Sequence, residues 1–121
     1  MAIIKHKTQK DAAVLTWQRT KAAEKEFKKI YKNYETYHRG WPDFIAFNKR
    51  GNFYFVECKV INEFRDNVSD VLGYEQNKVR KILEKISKKK FHYEIWFFEN
   101  KKGSKGIVKK AFCDGNKLVP Y

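Results

Sequence analysis

Asp43, Glu57 and Lys59 are the residues whose types and spacing suit chemistry. Asp43 follows Pro42 at the head of an apolar run, Phe44 to Phe47. Glu57 and Lys59 stand two apart inside a second run, Phe53 to Val60. Strand side chains alternate with period 2, so Glu57 and Lys59 share a face and Cys58 lies on the other. Two carboxylates and an ammonium at a sheet edge fit a Mg2+ site for phosphodiester cleavage. The same residues also fit a buried ion pair, Glu57 with Lys59 or Asp43 with Lys59, that performs no reaction. The Glu-x-Lys spacing does not separate these readings, because Glu26/Lys28 and Glu99/Lys101 repeat it. Context does distinguish the copies: only Glu57/Lys59 lies within an apolar strand, where a carboxylate is costly to bury without a partner or a metal.

Helices must bring any further groups. From Asp11 to about Tyr34 the pattern is helical, with Phe27, Ile30, Tyr31 and Tyr34 at i, i+3, i+4, i+7 and Ala23 extending the same face. One helix of that length is long for a chain of this size, and Trp17 fits a separate turn before it. Glu24 sits about 70° from the centre of the apolar stripe, on its border, so it is the better placed of Glu24 and Glu26 to reach the sheet. A second helix runs from Val71 or Tyr74 to Lys88, with Ser69 or Asp70 as a cap and Val79, Ile82, Leu83 and Ile86 as its apolar face. Gln76 borders that face as Glu24 borders the first.

Between and after the helices the chain reads as strands. Residues 1–10 form a basic arm and residues 35–42 a connection. Residues 43–47 and 53–60 are a hairpin around the loop 48–52, residues 61–70 are irregular, and residues 92–99 and 107–113 are two more strands. The order is α-β-β-α-β-β, or α-β-β-β-α-β if part of 61–68 pairs. The expected fold class is therefore α/β, a mixed sheet flanked by helices in one domain over residues 1–121.

Composition narrows the partners. The chain has 121 residues, 27 Lys+Arg against 14 Asp+Glu, and a formal net charge of +13. Such a balance repels itself and is relieved by an anion, most commonly nucleic acid. Candidate contacts to DNA are Lys78, Arg80, Lys81 and Lys85 on the second helix, Lys88 and Lys89 at its end, and Lys102 and Lys105 in the basic turn of the segment 101–110. Two cysteines, Cys58 and Cys113, are too few for a disulfide scaffold or a four-ligand zinc site. No apolar run reaches membrane-span length and the start has no signal-peptide core, so an intracellular, cytoplasmic protein without a membrane partner is expected.

The order Glu24, Pro42-Asp43, Glu57-x-Lys59, Gln76 resembles the PD-(D/E)XK nuclease superfamily, and within it the archaeal and viral Holliday junction resolvases. The segments 21–31, 42–60 and 74–89 carry the resemblance. It implies a restriction-endonuclease-like core, αβββαβ, and a homodimer that nicks two strands of a four-way DNA junction with Mg2+, for which Mn2+ substitutes. By this match Glu24, Asp43 and Glu57 are metal ligands together with the Cys58 backbone carbonyl. Lys59 is the catalytic lysine, and Gln76 completes the catalytic set. The family's usual serine before the Asp strand is replaced by Thr36 with His38 and Arg39, the last a further DNA contact. The Gly-x-Pro-Asp, Glu-x-Lys and downstream Gln pattern is also similar to virus-type replication-repair (VRR-NUC) nucleases. A non-enzymatic basic nucleic-acid-binding protein is the alternative of another class.

Overall fold

A computed structural model describes residues 9–37, 42–87 and 90–121, with the backbone alone at 9–13 and 87. The expected trace of Arg39, Lys88 and Lys89 lies outside these residues. Helix α1 spans Gln9–Ile30 and α2 spans Tyr74–Ser87. The strands are β1 (Glu35–Tyr37), β2 (Phe44–Phe47), β3 (Phe53–Ile61), β4 (Phe91–Glu99), β5 (Ile107–Asp114) and β6 (Lys117–Pro120). They form one sheet in the order β1-β2-β3-β4-β5-β6. Only β3 and β4 pair in parallel, and α2 is the crossover between them.

Several expectations are corrected. The helix begins at Gln9, inside the expected arm, and runs unbroken for 22 residues, so Trp17 belongs to it. No Gly or Pro interrupts it, and packing along the sheet offsets the cost of its length. Residues 35–37 form the edge strand β1 where a connection was expected, pairing with β2 through Thr36 and Ala46. Segment 62–67 adds no strand beyond a bridge from Asn67 to Lys117, and a 3-10 turn at Val68–Asp70 follows it. Lys117–Pro120, which the sequence reading leaves unassigned, forms β6.

The sheet separates two apolar clusters, and β4 serves both by alternation. Trp96 and Phe98 face α1 with Ala23, Phe27, Tyr31, Phe44 and Val56. Tyr93, Ile95 and Phe97 face the other way, with Val68, Leu72 and Ala111. Tyr93 and Trp96 are therefore core residues. Glu94 is buried on the α1 side among aromatic donors. The Tyr31 hydroxyl (2.8 Å), the Trp96 indole N–H (3.3 Å) and the Tyr121 hydroxyl all donate to it. Burial and the adjacent Glu94 carboxylate push the Tyr31 phenol well above the usual tyrosine range.

The helices are seated differently from their apolar patterns. Ala23 and Phe27 on α1 and Tyr31 just past its end are buried as expected, while Ile30 is turned outward. On α2, Leu83 packs on the second cluster, but Ile82 and Ile86 are exposed. The buried face of α2 is polar instead. Arg80 is 1 % exposed, donating to the Asn77 side-chain oxygen at 2.9 and 3.0 Å and to Glu84 at 2.6 Å. The expectation that Arg80 contacts DNA is thus overturned: its guanidinium is occupied inside the fold.

Candidate active site

The site arises where β2 stops and β3 continues. The β2–β3 register ends at Phe44 opposite Val56, while β3 runs on to Ile61 beside β4. Continuing that register sets Asp43 opposite Glu57. The freed β3 edge would leave an unpaired amide, and Asp43 Oδ2 accepts the Cys58 N–H at 2.7 Å. A strand residue points its N–H and C=O the same way, so the Cys58 carbonyl opens toward the same gap. Glu57 and Lys59 share the α2 face, whereas the Cys58 side chain packs on the α1 cluster.

Glu57 is 5 % exposed. Burial raises its pKa to about 8, and a hydrogen bond to Asp43 and the Asp43 charge add to this; Lys59 and the Cys58 N–H oppose it. Burial and the facing Asp43 thus favour the neutral form of the Glu57 carboxyl. Lys59 forms no ion pair with either carboxylate, so the buried ion pair that the sequence also allowed is not made. Its Nζ reaches the Gln76 side-chain oxygen instead, at a long 3.4 Å. Gln76 presents its Nε2 to Glu57 at 3.5 Å, and its oxygen also accepts the Gly73 N–H at 3.3 Å. The first turn of α2 thus ties the carboxyl pair to the lysine through one amide.

Glu24 is placed apart from this group. It lies on α1, on the other sheet face, and pairs with Lys28 at 2.9 Å and Lys21 at 3.8 Å. It shares with Asp43 a cavity of about 270 Å3 between α1 and the sheet, whose walls include Thr16, Thr20, Phe44 and Phe98. Among the described residues no three Asp, Glu, His or Cys side chains stand close enough to hold a metal ion. The arrangement is a two-carboxylate pair with a neighbouring carbonyl, and Glu24 is one cavity away. Oxygen donors of this kind suit Mg2+, which commonly binds through one or two carboxylates and keeps its waters.

The basic candidates sort by position. Asn100 donates its backbone N–H to the Ile61 carbonyl and its amide to Asn62, so the turn after β4 closes on the site end of β3. Lys102 and Lys105 are exposed on that turn. Lys78, Lys81 and Lys85 are exposed along the outside of α2. Lys90 reaches the Arg50 carbonyl at the far end of the sheet, so α2 leads its lysines away from the site. Within 101–110, Lys109 covers the Phe64 ring at 4.4 Å, and Lys110 covers Trp96 at 4.8 Å and pairs with Glu26. Both are committed to the fold.

Sequence reasoning missed Arg19, Thr16 and Thr20. Arg19 donates to the carbonyls of Glu99 and Ser104, both at 2.9 Å, fixing α1 to the turn after β4. Thr16, Thr20 and Glu24 recur at i+4, a polar stripe beside the apolar one that was legible in principle. No helix among the described residues is long and apolar enough to cross a membrane. Compared with protein-family models, curated proteins and solved structures, the chain matches none of them.

Proposed function

We propose that this protein is a metal-dependent endodeoxyribonuclease, and that its site is the gap between β2 and β3. The observation that carries this reading is the facing pair Asp43 and Glu57, with Lys59 on the same face in no ion pair and Gln76 spanning Glu57 and Lys59. A structural network would neutralise the buried Glu57 and the half-buried Asp43 with Lys59. Here the Glu57 carboxyl is held above its usual range, and Lys59 reaches the Gln76 oxygen without an ion pair to either acid.

In this reading Asp43, Glu57 and the Cys58 carbonyl hold Mg2+, or Mn2+ in its place. When bound, the ion supplies Lewis acidity to the scissile phosphate and lowers the pKa of a water. Glu57 would serve the ion as a carboxylate. Lys59 meets charge developing on the phosphate or orients the attacking oxygen, and Gln76 keeps its ammonium beside Glu57. Glu24 would take part only on giving up its pairs with Lys21 and Lys28. Lys102 and Lys105 approach the DNA backbone at the site end, with Lys78 and Lys81 as outer contacts. Phosphate contacts position without reading sequence, so binding is salt-dependent and sequence-tolerant.

The finer reading is a restriction-endonuclease-like core acting as a homodimer on four-way junctions. The parallel β3–β4 pair joined through α2 supports the core. The paired nicks need two sites related by a two-fold axis. One panel tests both levels: four-way junction, flap, duplex and single strand, with and without Mg2+, at two salt concentrations. Cleavage of the junction by wild type, lost in Asp43→Ala with binding retained, is expected. Binding without cleavage of any substrate in Mg2+ or Mn2+ would leave a non-enzymatic nucleic-acid-binding protein.

A further inference from the structure

α2 covers only part of its side of the sheet. It packs on β4 and on the turn at Val68–Asp70, and the directions of its side chains tell which flank faces which strands. Gln76 is directed at Glu57 and Lys59 of β3. From there Arg80 and Glu84 turn about 40° and 80° one way, and the charges of both act on the Cys113 thiol of β5. Val79, Ile86 and Ile82 turn about 60°, 80° and 120° the other way, so this apolar flank looks over β3 toward β2 and β1. Those strands meet it with apolar side chains. Ile45 and Phe47 alternate away from the buried Phe44 and Ala46. They lie in register with Phe55 and Phe53 of β3, and Ile45 also with Tyr37 of β1. The Tyr37 ring stacks on Phe47 at 6.2 Å. Tyr37, Ile45 and Phe47 join neither apolar cluster. A sheet floor and a helix wall thus make one apolar face beside the candidate site. Phe55 stands two residues, about 7 Å, before Glu57 on the same side of β3.

The face is large for a single chain. Tyr37, Ile82 and Ile86 are 57, 49 and 71 % exposed. At about 200 Å2 per large side chain, these three alone leave roughly 350 Å2 open. The half-buried remainder brings the face to roughly 550 Å2, the upper end for the largest apolar patch of a monomer. Each partner in a stable complex gives about 800 Å2, and a polar rim supplies the difference. The rim identifies the occupant. Glu35 on β1 and Glu75 on the α2 flank are exposed, and neither forms an ion pair among the described residues. Their charge, set around isoleucines and aromatic rings, disfavours both DNA and an acidic protein here. A second copy of this chain, at net charge +13, offers an identical apolar face and lysines for the two acids. Lys85, next to Ile86, is exposed at the edge of this flank. We propose that this face is the interface of a two-fold homodimer, closed by the same surface on both subunits. The interface stands on the face alone. That it sets two cutting sites beside one two-fold axis rests on the nuclease reading and deepens it.

The test is sedimentation equilibrium of the full chain in EDTA, without DNA, for wild type, Ile86→Lys, Tyr37→Lys and a charge-matched control, Val108→Lys. Val108 is exposed on β5, beyond β4 from the face. Wild type and Val108→Lys should be dimers at micromolar concentration, and each face variant should dissociate at least about 30-fold more readily. Raised salt should tighten the wild-type dimer, because it screens the repulsion between two chains at +13. A monomeric wild type overturns the second copy as occupant and leaves the face to a different protein. A dimer that responds to neither variant, or to one alone, overturns helix wall and sheet floor as a single interface. Cleavage is then read in Mg2+ on a supercoiled plasmid with an extruded cruciform, where wild type should give linear product and the face variants nicked circles. If the masses shift as stated yet nothing is cut in Mg2+ or Mn2+, the nuclease reading falls and the interface stands. If cutting proceeds and the masses do not depend on Tyr37 or Ile86, the nuclease reading stands and the interface falls. Urea unfolding of the dilute single chain should be unchanged in Ile86→Lys, whose side chain is exposed there, so this variant answers the question should Tyr37→Lys fail to fold.

Discussion

The two helices treat the sheet in opposite ways. α1 lays Ala23, Phe27 and Tyr31 on it, an apolar stripe in the place its periodicity predicts. α2 turns Asn77, Arg80 and Gln76 inward and leaves Ile82 and Ile86 outside. Geometry accounts for the difference. Gln76 is directed at Glu57 and Lys59, and Leu83, seven residues on, points nearly the same way. Ile82 and Ile86 then leave the helix about 120° and 80° away from that direction. A helix that supplies a site amide is oriented by the amide. A helix that does not is oriented by its apolar stripe, and this difference can be tested residue by residue.

The largest effect belongs to α1. Phe27 is 1 % exposed and stacks on Phe44 at 4.7 Å. Phe27→Ala should cost about 3–5 kcal/mol, read as a fall in urea midpoint at constant slope. A cost near zero would mean that α1 is not held by its stripe. Next comes Arg80. Arg80→Ala removes a buried guanidinium and strands Asn77, so a loss of about 2–4 kcal/mol is expected. Arg80→Met keeps the stem volume, and Glu84 still reaches water. It should therefore lose less than half as much. Equal losses for Ala and Met would show that charge, and not packing, seats α2.

This contrast also explains how much was legible. At Ala23, Phe27 and Tyr31 and along β3, apolar periodicity and burial agree, with Ile30 the exception, so the helix, the hairpin and the alternation of Glu57, Cys58 and Lys59 could be read from residue types. The start of α1 could not, because nothing in the sequence shows that the helix already begins at Gln9, inside the expected arm of residues 1–10, and runs unbroken through Trp17 to Arg19, which finds two carbonyls on the far side of the chain. On α2 the rule of apolar-inward failed, since it takes burial as the only constraint on orientation. It made Arg80 look like a surface cation. At the site, Asp43, Glu57, Lys59 and Gln76 were found by spacing, and the structure brings them together. That Glu24 would stand on the opposite face with two lysines was hidden, because helical borders give direction on the wheel and no information on which sheet face the helix covers. The edge strand β1 was missed for a related reason: three residues are too few to show an alternation.

The faces differ again in how they respond to pH. On the α1 side the Tyr31 phenol is held above its usual range and does not titrate below pH 10, so Tyr31→Phe should cost about 1 kcal/mol equally at all pH values in between. On the α2 side the sign is set by Glu57, whose pKa rises from 4.5 to about 8 on folding. A raised carboxyl pKa contributes stability that is complete below pH 4.5 and is lost as pH climbs through about 8. The metal-free protein should therefore lose a few degrees of Tm between pH 5.5 and 8.5 relative to Glu57→Gln. Mg2+ at pH 8.5 should restore Tm in wild type and not in Glu57→Gln. Parallel curves for the two proteins would remove the raised Glu57 pKa from the account of the site.

The smallest effect is the sharpest test of the comparison. Ile82 and Ile86 belong to the apolar stripe that the pattern of α2 would bury, yet they are 49 % and 71 % exposed. If Gln76 sets the orientation, Ile82→Ser and Ile86→Ser should each change stability by no more than about 0.5 kcal/mol, as exposed substitutions do. If the stripe sets it, each would cost as a core truncation does, about 2 kcal/mol or more. The same pair of variants in a Gln76→Ala background separates the two causes further. Without the amide tie to Glu57 and Lys59, α2 is free to roll its isoleucines toward the sheet, a rotation of about 80–120° that would bury them and expel Arg80. In that background Ile82→Ser should become costly. A cost that stays within 0.5 kcal/mol in both backgrounds would show that Arg80, gripping Asn77 and Glu84, holds the helix in place without help from the site.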